Sequence, residues 1–108
     1  MKPIFYILSV LCILPAPAMA DYPEFALVIH EHRFDPAEIR VPAGQKIKLV
    51  VHNQDSSPEE FESYELKREK VIAPGSKAQI FVGPLSPGRY PFFGDFHEKT
   101  ARGAIVAE

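Results

Sequence analysis

The chain has 108 residues and a formal net charge of −2 at pH 7, with 12 lysines and arginines against 14 acidic residues. This length suits a single domain. Because the charge is mildly acidic and no basic block occurs, we expect no nucleic-acid partner and no attraction to anionic membranes.

The first twenty residues are predicted to be a cleaved secretory signal peptide. Lys2 gives a positive start, an apolar run follows over residues 4–14, and Ala18-Met19-Ala20 forms a small-residue cleavage site. The run is too short to anchor the protein in a bilayer. The alternative, a buried N-terminal helix, would be broken at Asp21-Tyr22-Pro23. We therefore expect a domain over residues 21–108, located in the periplasm and not inserted in the membrane.

Removal of residues 1–20 also changes the chemistry that is available to the protein. The remaining chain has 11 basic and 14 acidic residues, a formal charge of −3. It loses Cys12, which is the only cysteine. Disulfides, thiolate–metal bonds and cysteine nucleophiles are therefore excluded from the predicted mature domain.

After residue 20, proline and glycine separate short segments that are rich in β-branched and aromatic residues, a pattern typical of a β-sandwich or barrel. In one segment Ile47, Leu49 and Val51 alternate with polar residues, which predicts one buried face. The predicted core aromatics are Phe25, Phe34, Phe61 and Phe92. The predicted strands are 25–30, 38–41, 46–53, 60–63, 67–72, 77–82, 88–93 and 103–107.

Three segments together resemble the cupredoxin superfamily. Residues 34–45 are similar to its early strand pair, F-x-P-x-x-I-x-V-P-x-G. Residues 53–61 are similar to N-x-x-x-x-P-H, the segment that carries the first copper ligand. Residues 87–97 are similar to P-G-x-Y-x-F-x-C-x-x-H, which carries further ligands. The resemblance implies an all-β fold, a Greek-key β-sandwich over residues 21–108.

The copper-ligand positions of the family are mostly replaced in this chain. Glu59, or Glu60 in a shifted register, takes the first histidine position, and Gly94 takes the cysteine position. His97 keeps its histidine, whereas the methionine position falls near Arg102. A blue-copper centre requires a copper–thiolate bond. The sequence therefore predicts no blue-copper site.

The EfeO-type cupredoxin-like domain of periplasmic iron-uptake systems is the subfamily that this chain most resembles. The resemblance rests on Glu60-Phe61-Glu62, on Glu69 and on Pro87-Gly88-Arg89-Tyr90. It implies that acidic residues replace softer ligands and that the cargo is an iron or copper ion. It also implies a partner, either a periplasmic metal-binding protein or an inner-membrane permease.

The predicted metal ligands lie on two loops that the family fold brings to one end of the sandwich. An imidazole with carboxylates suits divalent or trivalent iron and Cu²⁺ and disfavours Cu⁺. Each candidate also has a plainer interpretation, as a surface histidine, a solvated acidic loop, a turn residue or one half of an ion pair with Lys67 or Arg102. The predicted ligands are His97, Glu59, Glu60, Asp95 and Glu69.

Three other residues have open roles. His30 and His32 are expected on one face of an extended segment, close enough to share a metal ion or simply exposed at a strand end. His52 is expected on a solvated strand face. Without a metal ion, Arg102 would neutralise Glu59 or Asp95.

Two functions from different classes fit the sequence. The first is a metal-ion-binding accessory protein for iron or copper uptake. Assistance in iron oxidation is open, but no electron acceptor is evident and we do not predict an enzyme. The alternative is a metal-free module that docks on a permease or periplasmic partner through exposed aromatic residues such as Phe93 and Phe96.

Overall fold

A computed structural model of the protein describes residues 2–4 and 21–108. The predicted signal peptide therefore lies outside the described residues, except for residues 2–4. Within the described part of the chain, no helix is long and apolar enough to cross a lipid bilayer.

The domain is built from strands joined by short turns, which confirms the predicted all-β class. The prediction omitted β2, because this strand is very short and has a single apolar residue. The other strand bounds differ by one residue at most. The strands are β1 Glu24–His30, β2 Arg33–Asp35, β3 Glu38–Val41, β4 Ile47–Asn53, β5 Glu59–Ser63, β6 Arg68–Ile72, β7 Lys77–Val82, β8 Gly88–Gly94 and β9 Arg102–Ala107, with one 3-10 turn at Asp95–His97.

Two mixed sheets pack face to face. The first has the strand order β2-β1-β4-β7, and the second has the order β3-β9-β8-β5-β6. β1 with β4 and β3 with β9 are parallel pairs, whereas the other neighbours are antiparallel. Strands that follow one another therefore often lie in different sheets, as the predicted cupredoxin-like Greek-key sandwich requires.

Alternation along the strands directs apolar side chains between the sheets. Ile47, Leu49 and Val51 of β4 are fully buried, as their alternation with polar residues predicts. In β5 the same alternation buries Phe61 and directs Glu60 and Glu62 to the opposite face. This two-residue period decides which side of the sheet each acidic residue of β5 reaches.

Three phenylalanines form the aromatic centre of the core. The ring of Phe34 meets that of Phe92 edge-on at 5.0 Å between centroids, and Phe61 lies 5.0 Å from Phe92. All three are at most 5% exposed. Phe25 differs from the prediction, because it packs on the rim of the core and is only partly buried.

We expect Phe92→Ala to lower the free energy of unfolding by about 3–5 kcal/mol, because it removes a buried ring from the contact between both sheets. Urea denaturation measures this change. Phe81→Ala is the matched control, since Phe81 is 38% exposed and its loss should have a much smaller effect. Equal losses for the two variants would contradict this account of the core.

Candidate metal centre

Glu59 is a carboxylate that the fold places inside the protein. It shares a face of β5 with Phe61, so it points inward, and it is 1% exposed. Its Oε1 accepts hydrogen bonds from the backbone N–H groups of Glu60 at 3.0 Å and Phe96 at 2.9 Å. A buried carboxylate is stable only with such donors and with a cationic or metal partner.

His97 is the side-chain partner of Glu59. Its Nδ1 lies 2.5 Å from Glu59 Oε2. The 3-10 turn that carries His97 is closed by hydrogen bonds from the backbone N–H groups of Thr100 at 3.2 Å and Ala101 at 2.9 Å to its carbonyl oxygen. The side chain of His97 remains 28% exposed. The pair therefore joins a buried carboxylate to a histidine that solvent reaches.

Gly94 has no room for a side chain, because Glu59 fills the space beside it. A Cβ atom on Gly94 would lie 2.7 Å from Cδ of Glu59 and 2.7 Å from Cβ of Ala101. Its backbone, with φ of −93°, is open to any residue. Space rather than backbone conformation therefore requires glycine here. The residues present do not fit a blue-copper centre, which supports the prediction made from the sequence.

His32 reaches the same place from the turn between β1 and β2. Its ring stacks on that of His97, with 3.6 Å between centroids and 13° between planes. The predicted sharing of one strand face by His30 and His32 is wrong, because the chain turns between them. Glu31 and His32 have φ of 50° and 57°, in the left-handed region. His30 stays at the exposed end of β1.

Asp55 holds this left-handed turn in place. Its carboxylate accepts the backbone N–H groups of Glu31 at 2.7 Å and His32 at 3.0 Å. Burial acts to raise the pKa of Asp55, but these hydrogen bonds outweigh it and the pKa is lowered. Asp55 Oδ2 lies 3.5 Å from the buried Nδ1 of His32, which has no hydrogen-bond partner.

His32, Glu59 and His97 together form the inner site. One donor atom from each lies within 4.8 Å of the other two. The two imidazoles border an open cleft of about 520 Å³, which Asp95, Phe96 and residues 98–100 also line. Two imidazoles and a carboxylate are donors that Zn²⁺, Cu²⁺ and iron ions accept.

Glu60, Glu62 and Asp95 form the outer cluster, on the opposite face of β5. One carboxylate oxygen from each lies within 4.8 Å of the others. Glu60 is 9% exposed. A hydrogen bond with the Glu69 carboxyl, partial burial and the charges of Glu69, Asp95 and Glu62 raise the pKa of Glu60 to about 7. Burial, followed by the charges of Asp95 and Glu69, raises the pKa of Glu62.

The five predicted ligands therefore fall into two groups rather than one. Glu59 and His97 meet at the inner site, whereas Glu60 and Asp95 meet in the outer cluster. Glu69 lies beside that cluster, opposite Glu62 in the pairing of β5 with β6.

Two other sequence expectations concern residues away from these groups. Arg102 lies opposite Phe93 in β9, and among the described residues no ion pair joins it to Glu59 or Asp95. His52 is half-buried in β4, opposite Lys77 of β7, and belongs to neither group.

His32 is the member of the inner site that sequence reasoning placed elsewhere. Its alternation with His30 indicated a continuous strand, and no glycine or proline marked the turn. Asp55 was the available signal, since an aspartate can accept consecutive backbone N–H groups of a turn. Its partner residues are 23 and 24 positions away, so the sequence alone could not identify them.

Comparison with known proteins gives one family match and one curated relative. Residues 3–107 match the Cupredoxin-like domain family. An uncharacterised protein of Rickettsia prowazekii (strain Madrid E) is 46% identical over 83 residues, which cover 77% of this chain and 66% of the relative. The chain thus spans just under two thirds of that relative.

Solved structures with the same fold are more distant in sequence. Auracyanin A from Chloroflexus aurantiacus, a blue copper protein, has a TM-score of 0.70 at 11% identity, covering 82% of this chain and 100% of its own. Amicyanin from Paracoccus versutus has 0.62 at 16%, covering 85% and 86%. The metal-binding domain of the Streptococcus pneumoniae Cu(I)-exporting ATPase CopA has 0.68 at 17%, covering 79% and 84%. At these identities the similarity concerns the fold alone.

We expect Gly94→Ala to lower the free energy of unfolding by about 1–3 kcal/mol, because the added methyl group overlaps Glu59 and Ala101. The loss should be smaller in a Glu59→Ala background, where one of the two close contacts is gone. Urea denaturation of the four proteins in this double-mutant cycle measures the coupling. An equal loss in both backgrounds would show that Glu59 does not limit the space at Gly94.

Glu60→Gln should raise the free energy of unfolding at pH 8 and leave it unchanged near pH 4. The folded-state pKa of about 7 exceeds the ordinary value of 4.5, so the folded protein holds this proton more tightly. Stability therefore falls as pH rises between these two values. Glutamine cannot ionise and removes the loss.

Denaturation with a chelator present, repeated across this pH range, tests the expectation for Glu60. Glu65→Gln is the control, because Glu65 is an exposed acid outside the cluster. A stabilisation by Glu60→Gln that is equally large at pH 4 and pH 8 would contradict the proton-linked explanation.

Proposed function

Because this chain belongs to the cupredoxin-like domain family and carries a carboxylate–histidine pair where the family resemblance places copper ligands, we propose that it binds an iron or copper ion at the inner site. It does so in the periplasm, as an accessory protein of a metal-uptake system. His97 and Glu59 are the principal ligands, and His32 is the third.

The contact between Glu59 and His97 carries this proposal. A carboxylate that is 1% exposed stands against an imidazole that reaches an open cleft. An ion held about 2.1 Å from both atoms in tetrahedral geometry needs them roughly 3.4 Å apart. They lie 2.5 Å apart in the metal-free protein, so a small movement of the exposed histidine admits the ion.

The donor atoms favour a divalent or trivalent ion over Cu⁺. Residues 21–108 contain neither cysteine nor methionine, so no sulfur ligand is available to the domain. The pneumococcal CopA domain with the same fold holds Cu(I). Imidazole and carboxylate suit Cu²⁺ and iron, which supports a different oxidation state here.

The exposure of the histidines suits a cargo that enters and leaves. The side chains of His97 and His32 are 28% and 44% exposed, and both line the same cleft. A partner that supplies one or two ligands can approach the ion there, as transfer to a permease or a periplasmic metal-binding protein requires. The proposal includes no redox step, since binding and transfer suffice.

A metal-free docking module is the second candidate, and one observation favours it. Tyr64 and Phe96 are 70% and 46% exposed, and the Tyr64 ring lies 5.5 Å from that of Phe93. Exposed aromatic residues are common anchors in interfaces. Metal titration separates the two candidates, because a docking module has no reason to bind an ion stoichiometrically.

Titration of the protein with Cu²⁺, Zn²⁺ and anaerobic Fe²⁺ by calorimetry should give one equivalent of tight binding for Cu²⁺ or Fe²⁺. We expect His97→Ala and Glu59→Gln each to weaken that binding by at least about 10-fold, since each removes a ligand. His30→Ala is the matched control, because His30 lies at the same turn but outside the inner site and should bind as the parent does.

Two results would contradict the proposed function. One is the absence of stoichiometric binding for every ion, which would favour the docking module. The other is binding that survives both ligand substitutions, which would place the ion elsewhere. Circular dichroism of each variant confirms that lost binding does not reflect lost folding.

A further inference from the structure

We propose that the outer cluster is a second cation site, separate from the inner one, for a hard ion that prefers oxygen ligands. Glu60, Glu62 and Asp95 are its ligands, and Glu69 stands beside them. The inference goes beyond the proposed function and does not require it, because none of these side chains belongs to the inner site.

The strand geometry aims the three carboxylates at one point. Glu60 and Glu62 are two residues apart in β5 and share its outer face. Phe61 pairs with Gly94 across β5 and β8, so Asp95 follows directly at the end of that strand. One oxygen from each lies within 4.8 Å of the others. That separation is twice a metal–oxygen distance of about 2.4 Å, which is ordinary for a calcium-like ion.

Glu60 is the observation that points to a missing cation. It is 9% exposed, yet among residues 21–108 no backbone N–H, hydroxyl or cationic side chain contacts its carboxylate. Its neighbours are the carboxyls of Glu69, Glu62 and Asp95. A carboxylate with so little access to water normally has a donor or a counter-ion.

The basic residues nearest in sequence do not fill this role. Lys70 alternates with Glu69 and Val71 along β6 and pairs with Phe61, so it lies on the other face of the sheet. Within the described chain, the ion pairs of lysine and arginine involve Glu24, Glu38 and Glu108 instead. The negative charge of the outer cluster is therefore left for an ion from solution.

The ligand chemistry separates this site from the inner one. The outer cluster offers oxygen only, and Asp95 is exposed, which leaves coordination positions for water. Carboxylates with water suit Mn²⁺, Ca²⁺, Fe³⁺ and the lanthanides. The inner site offers imidazole and prefers Cu²⁺ or Zn²⁺ by the same rule. The two faces of β5 thus hold sites of different ion preference.

Terbium titration tests the outer site, because Tb³⁺ is a hard ion with little preference for imidazole. The protein should bind one equivalent of Tb³⁺ by calorimetry, and the Glu60→Gln/Glu62→Gln variant should bind it at least about 10-fold more weakly. Asp95→Asn is a second variant at an exposed position, where folding is not at risk, and should weaken binding in the same direction. Glu65→Gln is the control for loss of one nearby negative charge.

The same variants keep this inference distinct from the proposed function. Glu59→Gln and His97→Ala should retain Tb³⁺ binding and lose Cu²⁺ binding, whereas Glu60→Gln/Glu62→Gln should do the reverse. Absence of Tb³⁺ binding to the parent protein would overturn the outer site. Binding that Glu60→Gln/Glu62→Gln and Asp95→Asn leave unchanged would overturn it as well.

Discussion

The burial of the Glu59 carboxylate is the constraint on which the rest of this end of the sandwich depends. A nearly inaccessible negative charge needs compensation, and the protein supplies it with two backbone N–H groups and the His97 imidazole. Those contacts fix the 3-10 turn against β5 and keep the position beside it free of a side chain at Gly94. A metal ion would bind at a place that this demand for positive charge has already shaped.

The β-sandwich makes one strand serve two different chemical environments. Because neighbouring residues of β5 point to opposite faces, Glu59 meets histidines and Glu60 meets carboxyl groups, although they are adjacent in the chain. The sequence Glu59-Glu60-Phe61-Glu62 therefore contributes an inner ligand, a core residue and two outer acids. A helix would have spread the same four residues around its circumference.

Much of this arrangement could be predicted because it depends on local periodicity. The alternation in β4 and β5 indicated the core, the inward direction of Glu59 and the shared face of Glu60 and Glu62, and the spacing to Gly94 and His97 indicated which loops meet. The family resemblance then supplied the sandwich topology, which places those loops at one end.

What could not be predicted depends on contacts between residues distant in sequence. The left-handed turn at Glu31 and His32 is held by Asp55 from another loop, so the chain around it looked like an uninterrupted strand. The division of the acidic residues into two groups required the pairing of β5 with β6 and β8. The cation that Glu60 lacks became evident only when the surrounding side chains were in place.

The crowding at Gly94 has a consequence for how such a site could change during evolution. A cysteine at this position would collide with Glu59, while a smaller residue at 59 alone would leave His97 without its carboxylate partner. Either single replacement passes through a less stable protein, and only the two together would open the way to a sulfur ligand. The carboxylate form of this fold is therefore separated from a thiolate form by a barrier of two coupled substitutions, and drift one residue at a time would not readily cross it.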